Sequence, residues 1–310
     1  MAKVTRRDAL TCVGAWSGAA IVWGVAGGIP RALGLANEAA TAQAAKGQFT
    51  FVQISDTHVG FHKEANLDVV GTLRRAIGDI NGLAGRPAFA VHTGDITHLS
   101  KPEEFDLAAQ VLGELELDRI HYVPGEHDTL DNGLHGFLAR YGADSQQRGY
   151  YSFDDHGVHF VALVNVLDFK TGSLTSLGDE QLRWLRQDLS GLSASTPIVV
   201  LAHIPMWTVY EPWGWGTADA AQALQHLRRF GSVTVLNGHI HQVMQKIEGN
   251  ISFHTAMSTA YPQPAPGTAD APGPLTVAAQ DLGRVLGTRR VVRVPGRHAL
   301  ATIDTPITRQ

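Results

Sequence analysis

The chain has a single cysteine, Cys12, among its 310 residues. One thiol cannot form a disulfide within the chain, so the fold must be held by its packing and not by covalent cross-links. Cys12 also lies in an apolar N-terminal stretch with the layout of a removable leader. Without that leader no thiolate remains, and any metal ion must be held by His, Asp, Glu or Asn.

The chain also lacks an excess of basic residues. It has 25 Lys and Arg against 29 Asp and Glu, which gives a formal net charge of -4. Proteins that bind nucleic-acid duplexes usually gather positive charge into a patch, so we expect no duplex partner. The hydrophobic fraction of 44% is that of an ordinary globular protein, and the length suits one large domain or two small ones.

The N-terminus has the layout of an export signal. Arg6 and Arg7 precede an uncharged run over residues 9–29, and small residues follow. The stretch T-R-R-D-A-L resembles a twin-arginine signal, although Ala9 stands where that pattern has Phe. We expect the twin-arginine export machinery to recognise residues 1–45 and the protein to be periplasmic after cleavage. An uncleaved run over residues 9–29 would instead anchor it to the cytoplasmic membrane.

From Phe49 onward, short apolar runs alternate with segments of helical period. The run F-T-F-V-Q-I-S predicts a buried strand, and the apolar spacing over residues 67–83 predicts a helix after it. Further helices are predicted from residue 102 onward, around 179–189 and near 218–230. The alternation indicates an α/β fold, in which functional residues collect at the carboxyl ends of the strands.

Five predicted strand ends carry side chains of the kinds that bind metals. They are D-T-H at 56–58, G-D at 94–95, G-E-H-D at 125–128, His203 and G-H-I-H at 238–241. In the last of these, His239 and His241 are two positions apart in an extended segment, so both side chains point to the same side. One such pair is weak evidence in a chain with 15 histidines, but the ordered set predicts a common metal site.

This ordered set resembles the calcineurin-like metallophosphoesterases over residues 49–257, with a looser similarity to the bacterial cyclic-nucleotide phosphodiesterase branch. The resemblance implies a four-layer αββα sandwich, two mixed β-sheets flanked by helices. That domain would span residues 46–310, including a Pro-rich segment at 261–274 and a C-terminal tail. The implied function is that of an exported dinuclear-metal phosphoesterase acting on phosphate mono- or diesters, cyclic nucleotides among the candidates, by a hydroxide that bridges the metals.

The resemblance also assigns the metal ligands. Asp56, His58, Asp95 and His241 would hold the first ion, and Asp95, Glu126, His203 and His239 the second. Two cations about 3.5–4 Å apart need a shared anionic oxygen, here from Asp95, and together they activate water and clamp a phosphate. Imidazoles beside carboxylates favour divalent or trivalent Fe, Mn or Zn over Ca. The expected partner is a phosphate-ester small molecule.

Two further residues of G-E-H-D would be catalytic. His127 would steady a phosphoryl oxygen or protonate the leaving alkoxide, and Asp128 would orient its ring. Most other histidines match no motif. His98 is the exception to consider, because T-G-D-I-T-H keeps it close to Asp95.

Position 126 departs from the family's pattern, which has Asn there. Glu126 is longer by a methylene and carries a negative charge. It would bind a metal tightly, but it would also repel phosphate and make the bridging water less acidic. The alternative function is therefore a metal-binding protein with weak catalysis. Glu126 would otherwise turn aside, or act as a partner of the ligands without binding metal.

The stretch P-M-W-T-V-Y-E-P-W-G-W-G follows His203 and is rich in aromatic residues. Its members Trp207, Tyr210, Trp213 and Trp215 would either form a wall of the substrate site or fold back to cap the core.

The C-terminal part has two features outside the motifs. The segment 261–274 is too rich in Pro and Gly for a regular element and is expected at the surface. The tail carries Arg284, Arg289, Arg290, Arg293 and Arg297. We expect them on a solvated face of a terminal strand, with contact to an anionic substrate as the alternative.

Overall fold

A computed structural model describes residues 20–26, 29–36, 49–131, 133–294 and 300–307, the first two ranges as backbone alone. The strands are β1 (Ala20–Ala26), β2 (Ile29–Ala36), β3 (Phe49–Ile54), β4 (Ala90–His92), β5 (Ile120–Tyr122), β6 (Tyr151–Asp155), β7 (Val158–Ala162), β8 (Ile198–Leu201), β9 (Val233–Asn237), β10 (Gln245–Glu248), β11 (Ile251–Thr255), β12 (Gly287–Arg293) and β13 (Ala301–Pro306). The helices are α1 (Val69–Asn81), α2 (Pro102–Leu112), α3 (His135–Tyr141), α4 (Asp179–Ser190), α5 (Ala220–Leu227) and α6 (Ala279–Val285).

The strands form two mixed sheets. The first has the order β2-β1-β13-β12-β3-β4-β5, in which β3, β4 and β5 are parallel. The second has the order β10-β11-β9-β8-β7-β6, in which β7, β8, β9 and β11 are parallel. Parallel neighbours need crossover connections, and the helices predicted from the apolar spacing supply them.

A core of apolar side chains fills the space between the sheets. Along β8 the residues alternate, because Val199 and Leu201 face this core while Ile198 and Val200 face the helices on the other side. Phe51 of the first sheet meets Phe160 of the second, with ring centroids 5.4 Å apart at 80°. Edge-to-face packing of this kind holds the two sheets together.

Helices cover the outer face of each sheet. Leu73 and Ile77 of α1 and Phe105 of α2 pack on the first sheet, whereas Leu185 of α4 and Leu224 of α5 pack on the second. The layers therefore run helix, sheet, sheet, helix. The predicted αββα sandwich is confirmed.

The predicted leader lies largely outside the described residues, which include neither the twin-arginine motif nor the small-residue region up to residue 45. Its described part, β1 and β2, forms an antiparallel pair beside β13 in the first sheet. No helix in the described ranges is both long and apolar enough to cross a membrane. Export and cleavage stay predictions.

The sequence suggested that the arginines of the tail lie on a solvated face, and this is wrong for Arg289. Arg297 lies outside the described residues. Arg289 on β12 is 1% exposed and donates to the carbonyl oxygen of Thr255 at 2.8 Å and to Oε1 of Gln53 at 3.3 Å. Its guanidinium also lies 2.8 Å from the Asp304 carboxylate. Because a buried cation needs partners, Arg289 ties the first sheet to the end of β11 in the second. Arg284 is exposed, as expected.

Candidate metal centre

All seven predicted metal ligands lie at one end of the sandwich. Each follows a parallel strand: Asp56 and His58 after β3, Asp95 after β4, Glu126 after β5, His203 after β8, and His239 and His241 after β9. They form two clusters whose potential ligand atoms lie within 4.8 Å of one another, namely Asp56, His58, Asp95 and His241 in the first cluster and Glu126, His203 and His239 in the second. The two predicted sets are thus brought together, and all seven residues are buried.

In the first cluster, the ligand atoms lie as far apart as neighbours around one cation. Nε2 of His58 is 3.2 Å from Nε2 of His241 and 3.5 Å from Oδ2 of Asp95. Nε2 of His241 is 3.3 Å from Oδ1 of Asp56. Atoms that bind one ion at about 2.0–2.2 Å and at right angles are about 3 Å apart, so these separations suit a shared metal.

In the second cluster, the Glu126 carboxylate lies between two imidazoles. Its Oε2 is 2.9 Å from Nε2 of His203, and its Oε1 is 2.9 Å from Nδ1 of His239. Glu126 therefore does not turn aside from the site. Oδ2 of Asp95, the oxygen near His58, is also 3.4 Å from Nε2 of His203, which is the position required of a bridging carboxylate.

Several polar atoms of these clusters are buried and, although some lie 2.9 Å from one another, make no hydrogen bond of good geometry with any described residue. They are Oδ2 of Asp56, Oε2 of Glu126, Nε2 of His203, and Nδ1 and Nε2 of His239. Each such group costs about 1–3 kcal/mol unless something satisfies it. A cation would satisfy them, and the mixture of imidazole and carboxylate donors fits Fe, Mn or Zn.

Backbone carbonyls set the orientation of two of the imidazoles. Nδ1 of His203 donates to the carbonyl oxygen of Thr93, and Nδ1 of His241 donates to that of Tyr261, both at 2.6 Å. With the proton on Nδ1, the lone pair of Nε2 faces the cluster, as a metal ligand requires.

Charge within the centre is balanced between imidazoles and carboxylates. Burial opposes the charged form of His203, but the carboxylates of Asp95 and Glu126 raise its pKa well above 6.5, so a proton occupies on Nε2 the position that a cation would take. Burial also opposes ionisation of Glu126, yet His239 and His203 lower its pKa well below 4.5. The carboxylate is therefore held ionised, as a ligand must be.

Most of these residues have an unusual backbone conformation. Of the nine non-glycine residues with positive φ among those described, five are candidate ligands: Asp56 (53°), His58 (40°), Asp95 (53°), His239 (70°) and His241 (53°). This region costs a non-glycine residue about 1 kcal/mol or more and is concentrated at functional sites. It turns the chain sharply just beyond each strand, so that alternate side chains enter the centre.

Gly125 allows two of the motif loops to approach closely. A Cβ atom on Gly125 would lie 2.0 Å from Oδ1 of Asp95. That oxygen accepts a hydrogen bond of 2.9 Å from the backbone nitrogen of His127. Glycine in G-E-H-D is thus needed for space, because any side chain would displace the bridging carboxylate.

His127 lies beside the clusters, as the sequence predicted. The prediction that Asp128 orients its ring is wrong. Nδ1 of His127 contacts the carbonyl oxygen of His98 at 2.6 Å and not Asp128. The Asp128 carboxylate accepts backbone hydrogen bonds from Gly125, Ile96 and Thr97. Asp128 therefore joins the G-D and G-E-H-D loops.

His98 belongs to the site, as its closeness to Asp95 in the sequence predicted. Its ring stacks on His127 with centroids 5.0 Å apart, and its Nδ1 is 3.5 Å from Nδ1 of His58. Burial lowers the pKa of His98 to about 4, so the ring is neutral at pH 7. With His58 and His127 it forms a third group whose nitrogens lie within 4.8 Å of one another.

Two residues of the Pro-rich segment lie against the centre, which its composition did not indicate. The hydroxyl of Tyr261 is 3.2 Å from Nε2 of His58, and the side-chain amide of Gln263 donates to the carbonyl oxygen of His239 at 2.8 Å. Residues 261, 262 and 264 are buried, whereas most of 265–274 is exposed as expected. Burial first, and then the carboxylates of Asp95, Asp56 and Glu126, raise the pKa of Tyr261 well above 10.

In the aromatic stretch after His203, the tryptophans fold back on the core, which is the second of the two interpretations of the sequence. Trp213 and Trp215 are 6% and 1% exposed and pack with Ile240, the residue between His239 and His241. Trp207 packs on the core of the second sheet, and Tyr210 is half-buried against Trp213. Trp213 and Trp215 thus support the G-H-I-H loop from behind through Ile240.

The chain is similar to known phosphoesterases over most of this fold. The model of the calcineurin-like phosphoesterases matches residues 49–243. A glycerophosphodiester phosphodiesterase of Enterobacter lignolyticus is 28% identical over 225 residues, which cover 68% of this chain and 77% of that protein. A probable cyclic nucleotide phosphodiesterase of Rhodococcus erythropolis is 25% identical over 220 residues, 68% of this chain and 71% of that protein.

The fold is also that of a solved enzyme structure. A dimetal phosphatase from Danio rerio superposes with a TM-score of 0.60 at 17% identity, over 83% of this chain and 98% of the other. The family match covers more than half of the sequence and includes every motif that forms the two clusters. The chain belongs to the calcineurin-like phosphoesterase family and is a metal-dependent phosphoric ester hydrolase.

Proposed function

We propose that this enzyme hydrolyses phosphodiesters at a dinuclear centre built around Asp95. The relatives described as glycerophosphodiester and cyclic nucleotide phosphodiesterases support a diester substrate. The observation that carries the proposal is the position of Glu126, whose carboxylate lies 2.9 Å from a nitrogen of both His203 and His239.

Each cluster combines ligands from both sheets. Asp56, His58 and His241 would hold one ion, Glu126, His203 and His239 the other, and Oδ2 of Asp95 would contact both. Two ions at these positions would supply Lewis acidity, activate water and clamp the phosphoryl group. The remaining tasks, orientation and proton transfer, fall to side chains of the protein.

Glu126 gives the centre a third carboxylate beside Asp56 and Asp95. Two divalent ions and these three carboxylates together have a net charge of +1. With an amide at position 126 the net charge would be +2. A phosphomonoester carries a charge near -2 at neutral pH, because its second pKa is about 6, whereas a diester carries -1. A less positive centre therefore weakens monoester binding more than diester binding.

His127 is positioned to donate a proton to the leaving oxygen. Its Nδ1 is held by the carbonyl oxygen of His98, so Nε2 is the ring nitrogen that remains for the substrate. Stacking on His98 fixes the plane of the ring. Proton donation from Nε2 of the imidazolium would neutralise the alkoxide as it departs.

The test compares diester and monoester turnover in the wild type and in Glu126→Gln, each loaded with Mn or Zn. The wild type should prefer bis-p-nitrophenyl phosphate over p-nitrophenyl phosphate, and Glu126→Gln should shift the ratio of kcat/KM toward the monoester by about tenfold. Glu103→Gln, at an exposed position of α2, is the control that removes an equal charge. A wild type that prefers the monoester, or a ratio that Glu126→Gln leaves unchanged, would contradict the proposal.

The metal-binding role with weak catalysis rests on the same residue. It requires two bound metals by elemental analysis and turnover of neither ester by the wild type. Activity gained in Glu126→Asn would then identify the third carboxylate as the cause. Family membership favours hydrolysis.

Export to the periplasm is part of the proposal and rests on the N-terminal sequence. Residues 1–45 fused to a reporter protein should direct it to the periplasm through the twin-arginine machinery. Replacing both Arg6 and Arg7 by Lys should retain the reporter in the cytoplasm. Export of that double variant would remove the twin-arginine assignment, and a fusion that stays membrane-bound would favour the anchor over residues 9–29.

A further inference from the structure

Tyr261 enters the metal centre from a segment that is fixed at several points. The hydroxyl of Ser258 donates to the carbonyl oxygen of Asp56 at 2.7 Å and accepts from the backbone nitrogens of Ala260 and Tyr261. The carbonyl oxygen of Tyr261 accepts from Nδ1 of His241. The position of the side chain is therefore set by contacts with the backbone and side chains of ligand residues.

The ring of Tyr261 packs within the first cluster. It lies 4.8 Å from the rings of both His58 and His241 and 4.4 Å from that of Phe61, measured between centroids. The residue is 3% exposed. Such packing restricts the hydroxyl to one direction, which is toward Nε2 of His58 at 3.2 Å.

A metal in the first cluster changes the partner of this hydroxyl. In the tautomer with the proton on Nδ1, Nε2 of His58 carries the single available lone pair of the ring, and this atom faces His241 and Asp95. When that lone pair binds a cation, it no longer accepts the phenol proton. A buried hydroxyl without an acceptor is unfavourable, so the proton is available to an oxygen that enters the centre.

The centre has a need for such donors. No Lys or Arg of the described ranges forms an ion pair with any of the seven candidate ligands. The donors that contact the ligand residues are therefore uncharged or imidazole groups, while Lys63 is near enough to His98 to help lower its pKa. Tyr261 lies on the side of the first cluster. His127 lies beside Asp95, because the backbone nitrogen of His127 donates to Oδ1 of Asp95.

We infer that Tyr261 is a phosphate-binding residue, whose hydroxyl donates to a phosphoryl oxygen of the substrate beside the first metal. This inference rests on the proposed function for the site in which it acts. A donor held in place before the substrate arrives needs no reorganisation during the reaction. Tyr261 would thus complement His127, which serves the leaving oxygen.

The test measures binding of inorganic phosphate to the metal-loaded full chain by titration calorimetry, in the wild type and in Tyr261→Phe. Loss of one hydrogen bond to an anion should raise the Kd for phosphate about tenfold or more, with unchanged metal content. The kcat/KM for bis-p-nitrophenyl phosphate should fall by a similar factor. Phe keeps the ring packing, and an unchanged melting temperature of the variant would show that the fold is intact.

Tyr141→Phe is the matched control. Tyr141 is a largely buried tyrosine in contact with Tyr122 and Phe137, and its hydroxyl has no hydrogen-bond partner. Its removal should leave phosphate binding unchanged. An effect equal to that of Tyr261→Phe would show that the loss is not specific and would overturn the inference.

Three other results would overturn it. Phosphate binding by Tyr261→Phe equal to that of the wild type would remove the donor role, and so would a metal-loaded wild type that binds no phosphate. A fall in metal content, or loss of a visible absorption band from the ferric form, would make Tyr261 a metal ligand instead. If phosphate binding falls as expected but the wild type hydrolyses no diester, the proposed function fails and the inference stands.

Discussion

Oδ2 of Asp95 lies 3.4 Å from Nε2 of His203. Asp95 follows β4 of the first sheet and His203 follows β8 of the second, so this contact joins the two sheets. The same oxygen lies 3.5 Å from Nε2 of His58 in the other cluster. The centre therefore depends on the packing of the sheets against each other, and neither sheet alone supplies it.

Asp95→Asn should reduce metal content from two ions per chain to one or none. The amide oxygen carries no negative charge, so it does not offset the repulsion between two cations as Oδ2 of the carboxylate would. Activity should fall by at least about a hundredfold, about 2.7 kcal/mol in the barrier. Elemental analysis of the purified variant and bis-p-nitrophenyl phosphate turnover check this. Asp270→Asn, in the exposed part of the Pro-rich segment, should match the wild type. Two retained metals would exclude the bridging role.

Metal removal should destabilise the protein. The partnerless buried atoms of Asp56, Glu126, His203 and His239 are satisfied by a cation only in the folded chain. Mn or Zn at a hundred times its Kd should add about 2.7 kcal/mol of stability. A gain of this size raises the melting temperature of the chelator-treated protein by about 5–10 °C, measured by scanning calorimetry. An equal rise in Asp95→Asn would assign the effect to other sites.

Trp215→Ala should act on stability. The side chain is 1% exposed and packs edge-on against Trp213, with ring centroids 4.9 Å apart. Its loss leaves a cavity behind the G-H-I-H loop and should lower the free energy of unfolding by about 3–5 kcal/mol, with Trp215→Phe costing less. Urea denaturation gives both values. A raised KM for aromatic esters at unchanged stability would favour the substrate-wall interpretation instead.

Arg289→Met should destabilise the fold without changing substrate affinity. It removes a donor to the carbonyl oxygen of Thr255 and isolates the Asp304 carboxylate, whose side chain is 26% exposed. We expect the free energy of unfolding to fall by about 3 kcal/mol. This is near the lower end of the range for a broken buried ion pair, because Asp304 is partly exposed. Arg284→Met, which removes an exposed pair with Asp281, should cost under about 1 kcal/mol. An increase in KM for Arg289→Met would revive the substrate-contact alternative.

The contribution of His159 to stability should depend on pH. Burial opposes its charged form, but hydrogen bonds of 2.9 Å with Asp188 and with Asp154 outweigh burial and raise its pKa above 6.5. A group with a raised folded-state pKa stabilises fully below its unfolded value and loses this effect as the pH rises through the folded value. The difference in unfolding free energy between wild type and His159→Gln should therefore be larger near about pH 5.5 than near about pH 9.

Urea denaturation at the two pH values tests this, with His62→Gln at an exposed position as the control. A difference that stays constant or grows with pH would show that the His159 ring is not charged in the folded protein.

Local patterns in the sequence predict much of the fold. Apolar spacing places α1 within residues 67–83, and the structure has it at Val69–Asn81. The insertion of β12 and β13 between β1 and β3 is not predictable in this way. Pairing between strands that are far apart in the chain depends on the whole core, and a short apolar run does not specify its neighbour.

The same distinction applies to the site. Asp95 and His203 are recognisable because their residue types recur at strand ends, where the fold must bring them together. The roles of Asp128 and Tyr261 are not, since each depends on a hydrogen bond with a distant loop. Asp128 accepts from Thr97, and Tyr261 accepts from His241. Composition even pointed the other way for Tyr261, because Pro-rich stretches are usually solvent-facing.

Two groups of the Pro-rich segment hold the G-H-I-H loop, namely the carbonyl oxygen of Tyr261 and the side-chain amide of Gln263. Both come after residue 243, where the family match ends. A protein cut at that residue would keep every candidate ligand and lose the parts that aim two of them. Relatives with identical ligands can therefore differ in metal retention and substrate choice through this downstream segment alone, and comparisons confined to the shared motifs would not detect it.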